Sequence, residues 1–270
     1  MHERIIADGA IRSGKTVSMS LGFVFWAMTR FNGQNFGMCG KIIGSFRRNV
    51  LFWLKLMLRS RGYTVSDHRA DNLVIISNGD VTNYFYIFGG KDERSQDLIQ
   101  GITLAGVFFD EVALMPESFV NQATGRCSVD GSKFWFNCNP DGPYHWFKVN
   151  WIDKRKEKNL LYLHFTMDDN LSLSEEIKKR YRTRYTGVFF ERYILGLWKM
   201  AEGVIYDMLD KAKHVCHTLK NLIGANYYVS CDYGTQNATV FLLWCKDSTA
   251  MNLEKYLLFH FTIIIYIRTI

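Results

Sequence analysis

The sequence is poor in the features that mark disordered, disulfide-linked or membrane-spanning chains. Only three of its 270 residues are proline and its glycines are scattered, so long disordered tracts are not expected. None of the six cysteines forms a C-x-x-C pair, and several stand in apolar runs, which favours reduced, buried thiols. The most apolar stretch, 257–267, is about half as long as a membrane-spanning helix. With no signal peptide visible at the amino terminus, these absences predict a soluble cytosolic protein.

The composition is that of a globular protein with a moderately basic surface. Apolar residues make up 48% of the chain and charged residues 22%, so a core of useful size can be buried. The formal net charge is +7. Charge alone fits a partner that is a polyanion and a mildly basic enzyme equally well.

Strand-like and helix-like segments alternate along the chain, which predicts an α/β fold with a largely parallel sheet flanked by helices. The apolar run 104–110 is typical of a fully buried parallel strand. The segments 73–77 and 81–88 flank Asn78-Gly79 and should form a hairpin. Further strands are expected at 4–7, 36–39, 133–138, 160–165, 226–232 and 239–245, and helices at 15–31, 45–60, 116–124 and 174–185. A domain boundary is expected between Gly196 and Gly203.

A phosphate-binding loop is predicted between the first strand and the first helix. The segment from Gly9 to Thr16 fits the pattern G-x-x-x-x-G-K-[ST]. Gly9 and Gly14 would let the backbone curl so that the N–H groups of the loop, which includes Ser13, point at phosphate oxygens. Lys15 would reach the β- and γ-phosphates, and the Thr16 hydroxyl would bind Mg²⁺. A plain glycine turn into a helix is the alternative, but it leaves the Gly-Lys-Thr triplet unexplained.

Two carboxylates end the buried strand 104–110. The carboxyl ends of parallel strands face the ligand crevice, so Asp110 would lie near the magnesium on Thr16. Glu111 would then act as the general base that polarises the attacking water. The alternative is a strand that merely becomes polar at the surface. The Asp-Glu order favours ATPases that do mechanical work, and no N-K-x-D segment of a GTPase is present.

Four segments together resemble phage terminase large subunits, particularly those of the PBSX type. Their order along the chain is much more specific than any one motif. The segments are GAIRSGKT (9–16), QGIT with VFFDEVALMP (100–116), FNCNPDGPYHW (136–146), and GLW with EGVIY (196–206) followed by SCDYGT (230–235).

The resemblance implies a P-loop ATPase of the ASCE type at 1–200, the packaging motor, with ATP and Mg²⁺ as ligands. It implies the amino-terminal part of an RNase H-like nuclease domain at 201–270, with a divergent tail from about 257. Asn139 matches the coupling segment that senses the nucleotide, although an Asn-Pro turn needs no function. Arg12 would neutralise phosphate charge or else face solvent. Asp232 matches a nuclease aspartate that holds a further divalent metal, or it simply belongs to an Asp-Tyr-Gly turn.

The implied partners are double-stranded DNA, the terminase small subunit, the portal protein and further copies of the chain, with no membrane. The implied location is the host bacterial cytoplasm, with transient docking on the procapsid portal. DNA backbone phosphates would be gripped by basic clusters, which are equally well explained as solvated surface. The clusters are Arg47, Arg48, Lys55, Arg59 and Arg61; Lys154, Arg155, Lys156 and Lys158; and Lys178, Lys179, Arg180, Arg182 and Arg184.

Two departures from the family shape the remaining expectations. The chain starts only a few residues before the phosphate loop, where the family has a segment that contacts adenine. After Asp232 only Asp247 and Glu254 remain as acidic residues, so we expect the nuclease to be incomplete and inactive. The rival hypotheses are another P-loop translocase, such as a helicase, and a degraded prophage remnant that binds nucleotide without packaging DNA.

Overall fold

A computed structural model of the chain describes residues 2–200 and the strands 226–232, 240–246 and 256–261. The chain divides into two units, Met1–Val204 and Ile205–Ile270. Each unit is built on its own sheet. No helix among the described residues is both long and apolar enough to cross a membrane.

The first unit is an eight-stranded sheet with helices around it, which confirms the predicted α/β class. Six neighbouring strands are parallel, and β3 and β4 extend the sheet antiparallel at one edge, in the order β3-β4-β5-β2-β6-β7-β1-β8. The strands are β1 (Arg4–Gly9), β2 (Asn35–Gly40), β3 (Thr64–His68), β4 (Leu73–Asn78), β5 (Val81–Gly89), β6 (Gly106–Phe109), β7 (Lys133–Cys138) and β8 (Leu160–Phe165). The α-helices are α1 (Lys15–Arg30), α2 (Ile43–Phe46), α3 (Phe52–Arg59), α4 (Glu117–Gly125), α5 (Glu175–Arg184) and α6 (Gly187–Tyr193). Short 3₁₀ turns lie at Glu93–Ile99, Val112–Leu114 and Met167–Asp169, and π-helical turns at Arg47–Leu51 and Lys148–Ile152.

Two apolar layers cover the two faces of this sheet. Consecutive side chains of a strand point to opposite faces, so Phe108 and Phe109 of β6 enter different layers. On the first face Phe23 of α1 packs against Phe36, with ring centroids 5.8 Å apart. On the second face Phe109 stacks on Phe136 at 5.0 Å. Burial on both faces holds the central strands in place, and β7 lies between β1 and β6.

In the first unit the predicted elements are found with small shifts, whereas β3 and α6 were not predicted. The expected helix 45–60 is α2 and α3 joined by a π-helical turn. The hairpin exists, but Asn78 pairs with Val81, so its two-residue loop is Gly79-Asp80 and not Asn78-Gly79. Gly79 has a φ of +56°, which glycine adopts at little cost. The edge strand β3 was not predicted, because its segment is largely polar and exposed.

The second unit contributes a three-stranded antiparallel sheet in the order β11-β10-β9. Its strands are β9 (Asn226–Asp232), β10 (Val240–Lys246) and β11 (Tyr256–Phe261). The two strands predicted for this unit are therefore present, one of them displaced by one residue. The RNase H-like character of this unit stays a prediction.

Candidate functional site

The loop between β1 and α1 has the conformation that its glycines permit. Gly9 has a φ of +131°, and a Cβ atom there would lie 1.9 Å from the carbonyl oxygen of Phe165. Gly14 is left-handed, with a φ of +83°, and directly precedes α1. The next two amides donate hydrogen bonds to residues outside the loop. Ala10 N donates to Phe165 O at 2.8 Å, and Ile11 N donates to Tyr193 O at 2.9 Å. The loop therefore runs tightly from the strand into the helix amino terminus, an arrangement suited to anions.

Lys15 is buried at the base of this loop, with 4% of its surface exposed. Its Nζ donates to Asn139 Oδ1 at 2.6 Å and to the carbonyl oxygens of Ala10 at 2.9 Å and Gly9 at 3.4 Å. Burial lowers the pKa of Lys15, while the nearby carboxylate of Glu111 opposes the shift. The hydrogen-bond partners of this ammonium group are neutral oxygen atoms, which an anion in the loop would replace, while the charges of Glu111, Asp8 and Asp110 also act on it.

Asp110, directly after β6, and Thr16, in the first turn of α1, lie close together. The Thr16 hydroxyl donates to Asp110 Oδ1 at 3.2 Å. The buried side chain of Asn137 joins them, because its Nδ2 donates to Asp110 Oδ1 at 2.9 Å and to Thr16 Oγ1 at 3.3 Å. Burial raises the pKa of Asp110, and the hydrogen bonds from Asn137 and Thr16 counteract this.

Glu111 stands beside Asp110 with its backbone in the left-handed region, at a φ of +58°. Non-glycine residues in this region cost about 1–3 kcal/mol and cluster at functional sites. The Glu111 amide donates to Asn137 Oδ1 at 2.9 Å, and its carboxylate accepts from Asn139 Nδ2 at 3.0 Å. Burial, and then the charge of Asp110, raises the pKa of Glu111. Asn139 thus bridges the carboxylate of Glu111 to the ammonium of Lys15.

The donor set fits Mg²⁺ and phosphate. A threonine hydroxyl and a carboxylate oxygen 3.2 Å apart are hard oxygen ligands, and Mg²⁺ commonly takes its remaining ligands from water and phosphate. No group of three histidine, cysteine or acidic side chains that could hold a metal alone occurs among the described residues. Within the same part of the chain, the buried hydroxyl of Ser13 has no hydrogen-bond partner. A phosphate bound in the loop would supply oxygen ligands for the metal and a hydrogen-bond acceptor for the Ser13 hydroxyl.

Arg12, another predicted site residue, directs its side chain to a partner outside this cluster. Arg12 is exposed, and its Nε donates to the hydroxyl of Tyr181 on α5 at 3.1 Å. Its predicted contact with phosphate therefore stays a prediction. Asp232 is the last residue of β9 in the second unit, and its side chain lies outside the described part of the chain.

Two buried polar residues of this region were not predicted as site residues. Asn137 is the one polar side chain in the otherwise apolar stretch that ends β7, and that contrast was the available signal. Asp8 is fully buried immediately before Gly9. It accepts hydrogen bonds from Tyr162, His164 and Trp198, which come from distant parts of the sequence.

Comparison with known proteins gives a consistent picture. The family model "Terminase large subunit, T4likevirus-type, N-terminal" matches residues 6–211. The large terminase of a thermophilic bacteriophage in complex with ADP is 66% identical, with a TM-score of 0.73 over 90% of this chain and 60% of that chain. The same terminase in complex with ATP-gamma-S is 65% identical, with a TM-score of 0.71 over 90% of this chain and 59% of that chain.

A more distant structure shares the fold alone. The Thermus phage P74-26 large terminase ATPase domain is 17% identical, with a TM-score of 0.55 over 73% of this chain and 90% of that domain. No curated protein matches the chain. The chain spans about 60% of the length of the terminase that was solved with ADP. The family model covers most of the first unit, whereas the PBSX subtype stays a prediction. The chain therefore belongs to the phage terminase large subunit family.

Proposed function

We propose that the first unit hydrolyses ATP and that the chain is the motor subunit that drives viral double-stranded DNA into the procapsid. One observation carries this proposal. Lys15, the Thr16–Asp110 pair and Glu111 lie at one sheet edge and are connected through Asn137 and Asn139. The ADP and ATP-gamma-S complexes of the thermophilic bacteriophage terminase support ATP as the ligand.

Each side chain of the site has a distinct task in this proposal. Mg²⁺ held by Thr16 and Asp110 would neutralise charge on the phosphates. Lys15 would exchange its bonds to Asn139 and the loop carbonyls for phosphate oxygens. Glu111 would accept the proton of the attacking water, and burial raises its pKa, which makes it a stronger base than an exposed glutamate.

Asn139 is suited to sensing the nucleotide because it contacts two groups whose state changes. Its Oδ1 accepts from Lys15, and its Nδ2 donates to Glu111. When Lys15 turns to a phosphate, Asn139 loses one partner and keeps the other. The side chain of Glu111 can then be reoriented in response to the bound nucleotide.

The DNA partner is supported by exposed basic residues on the first unit. Arg47 and Lys55 of the first predicted cluster are less suitable, because both pair with Asp67. Lys154, Lys156, Lys179, Arg180 and Arg184 are exposed. Contacts of this kind with backbone phosphates predict DNA binding that weakens steeply with salt.

ATP hydrolysis measured with and without double-stranded DNA tests the proposal. The parent chain should hydrolyse ATP in the presence of Mg²⁺, faster when DNA is added, and Lys15→Ala should abolish both rates. An inactive parent, or equal rates in parent and variant, would refute the motor function and favour a remnant that packages nothing.

The other functional expectations concern the longer assembly. The small subunit, the portal protein, further copies of this chain and the procapsid portal in the host cytoplasm remain proposed partners and location. Asp232 is proposed as a ligand of a nuclease metal. Metal-dependent nicking that is lost in Asp232→Ala would show that the chain is an active nuclease.

A further inference from the structure

The segment from α6 to Trp198, residues 187–198, packs directly on the phosphate loop; we call it the strap. Tyr193 O accepts from Ile11 N at 2.9 Å. A Cβ atom on Gly196 would lie 2.6 Å from both Gly9 Cα and Ala10 N, so the backbones touch there. The strap thus forms one wall of the loop without supplying a side chain to the reacting groups.

Trp198 fixes one end of the strap to the strand that leads into the loop. Its Nε1 donates to Asp8 Oδ2 at 2.7 Å. Asp8 is fully buried and also accepts from Tyr162 at 2.8 Å and from His164 at 2.9 Å. Because Asp8 directly precedes Gly9, this bond helps to set where the phosphate loop begins. Loss of one donor would leave the buried carboxylate of Asp8 with fewer hydrogen bonds.

Arg192 fixes the strap to the segment that carries Asn139. It forms an ion pair with Asp141 and donates to Pro140 O at 3.5 Å. The Arg192 side chain is 13% exposed, so the pair is shielded from water on one side. The ring of Trp198 also lies 6.0 Å from that of His145, further along the same segment. The strap therefore holds the loop of Lys15 and the turn of Asn139 at once.

We propose that Arg192 and Trp198 are positioning residues of the ATPase site, which set Asn139 and the phosphate loop relative to each other. The inference rests on the proposed function. Arg192 acts on Asn139 and hence on Glu111, so it governs the rate of hydrolysis. Trp198 acts through Asp8 on the phosphate loop, so it governs nucleotide affinity. The two residues therefore have separable effects, which a purely structural role would not produce.

Steady-state ATP hydrolysis and ATP-gamma-S binding by the full chain test this separation. Arg192→Gln should lower kcat about tenfold or more, with ATP-gamma-S affinity within about twofold of the parent. Arg192→Lys should recover part of that rate because it restores a positive charge beside Asp141. Trp198→Phe keeps an aromatic side chain beside His145 and removes the N–H donor together with one ring of the indole. It should weaken ATP-gamma-S binding about fivefold to tenfold and change kcat by less than that.

Arg69→Gln, a change at an exposed arginine in the β3–β4 turn, is the matched control and should leave both constants unchanged. Thermal unfolding of each variant identifies losses that come from misfolding. Folded variants that both match the control, or that lower kcat and affinity in parallel, would overturn the positioning roles while a normal parent keeps the ATPase proposal. A parent that binds ATP-gamma-S but does not hydrolyse ATP refutes the motor function. The affinity of Trp198→Phe for ATP-gamma-S then still tests the positioning role of Trp198. A parent that binds no nucleotide refutes both.

Discussion

Two groups of poorly exposed charged residues in the first unit differ in whether the protein favours or disfavours their charged forms. Near the antiparallel edge, Asp67 of β3 accepts from Arg47 at 2.7 Å and from Lys55 at 2.6 Å. Burial alone would raise the pKa of Asp67, but the hydrogen bonds and charges of Lys55 and Arg47 outweigh burial and lower it. The carboxylate is therefore more stable in its ionised form than it would be in water.

At the carboxyl edge of the parallel strands the balance is reversed. Asp110 and Glu111 have pKa values that burial raises, and Lys15 has one that burial lowers. Each of these groups is less stable in its charged form than in water. The Asp67 group is thus complete without a ligand, whereas the Asp110 group would gain the missing charge partners from the metal ion and the phosphate of the proposed function. This contrast distinguishes a cluster that stabilises the fold from one that serves chemistry.

The largest expected effect is the loss of catalysis when the base is removed. Glu111→Gln keeps the size of the side chain but removes the proton acceptor, so kcat should fall by roughly 10²–10⁴-fold. ATP-gamma-S affinity should be retained, because Lys15 and Thr16 are untouched. Glu157→Gln, at an exposed glutamate, serves as the control. A Glu111→Gln enzyme with more than about a tenth of the parent rate would remove Glu111 from the mechanism.

The next effect concerns the amide that organises the metal ligands. Asn137→Ala removes the donor to both Asp110 and Thr16, so the Mg²⁺ concentration for half-maximal ATP hydrolysis should rise roughly 10–100-fold. Asn83→Ala is matched to it, because Asn83 is equally buried but bonds only to backbone and Met28 outside the site. That control should lose stability and keep the Mg²⁺ requirement. Equal requirements in both variants would contradict the role of Asn137.

Neutralising one aspartate from each group should change stability in opposite directions. Asp67→Asn leaves two partly buried cations without their partner and should lower the free energy of unfolding by about 2 kcal/mol. Asp110→Asn removes a charge that burial disfavours, so the free energy of unfolding should stay the same or rise. Urea unfolding near neutral pH measures both. A loss at Asp110→Asn as large as that at Asp67→Asn would erase the distinction between the two groups.

The smallest expected effect is a shift in the pH range over which kcat is high. In the proposed mechanism, hydrolysis needs Glu111 ionised and Lys15 protonated. The raised pKa of Glu111 puts the acid limb of kcat at higher pH than an exposed glutamate would give. The lowered pKa of Lys15 puts the alkaline limb below that of an exposed lysine. A profile whose acid limb falls in the range of an exposed glutamate would contradict the burial of this base.

The site residues that sequence reasoning found are those fixed by local pattern. The phosphate loop follows from glycine spacing between a strand and a helix, and the acidic pair from a buried apolar run that ends in charge. Asn137 and Asp8 were not predicted as site residues, because their hydrogen-bond partners come from other strands and from Trp198 in the strap. β3 was not predicted because most of its side chains are exposed. The π-helical turn was not predicted because its apolar spacing does not differ visibly from that of an α-helix. Contacts between distant segments decide these features, and a single sequence does not display them.

Titration of the parent chain with ATP-gamma-S, with and without Mg²⁺, tests most directly whether nucleotide and metal sit between Lys15 and Asp110. The parent should bind much more tightly with Mg²⁺, Asp110→Asn should lose most of that difference, and Lys15→Ala should bind weakly in both conditions. Tight, Mg²⁺-dependent binding that survives in both variants would contradict the assignment of this site.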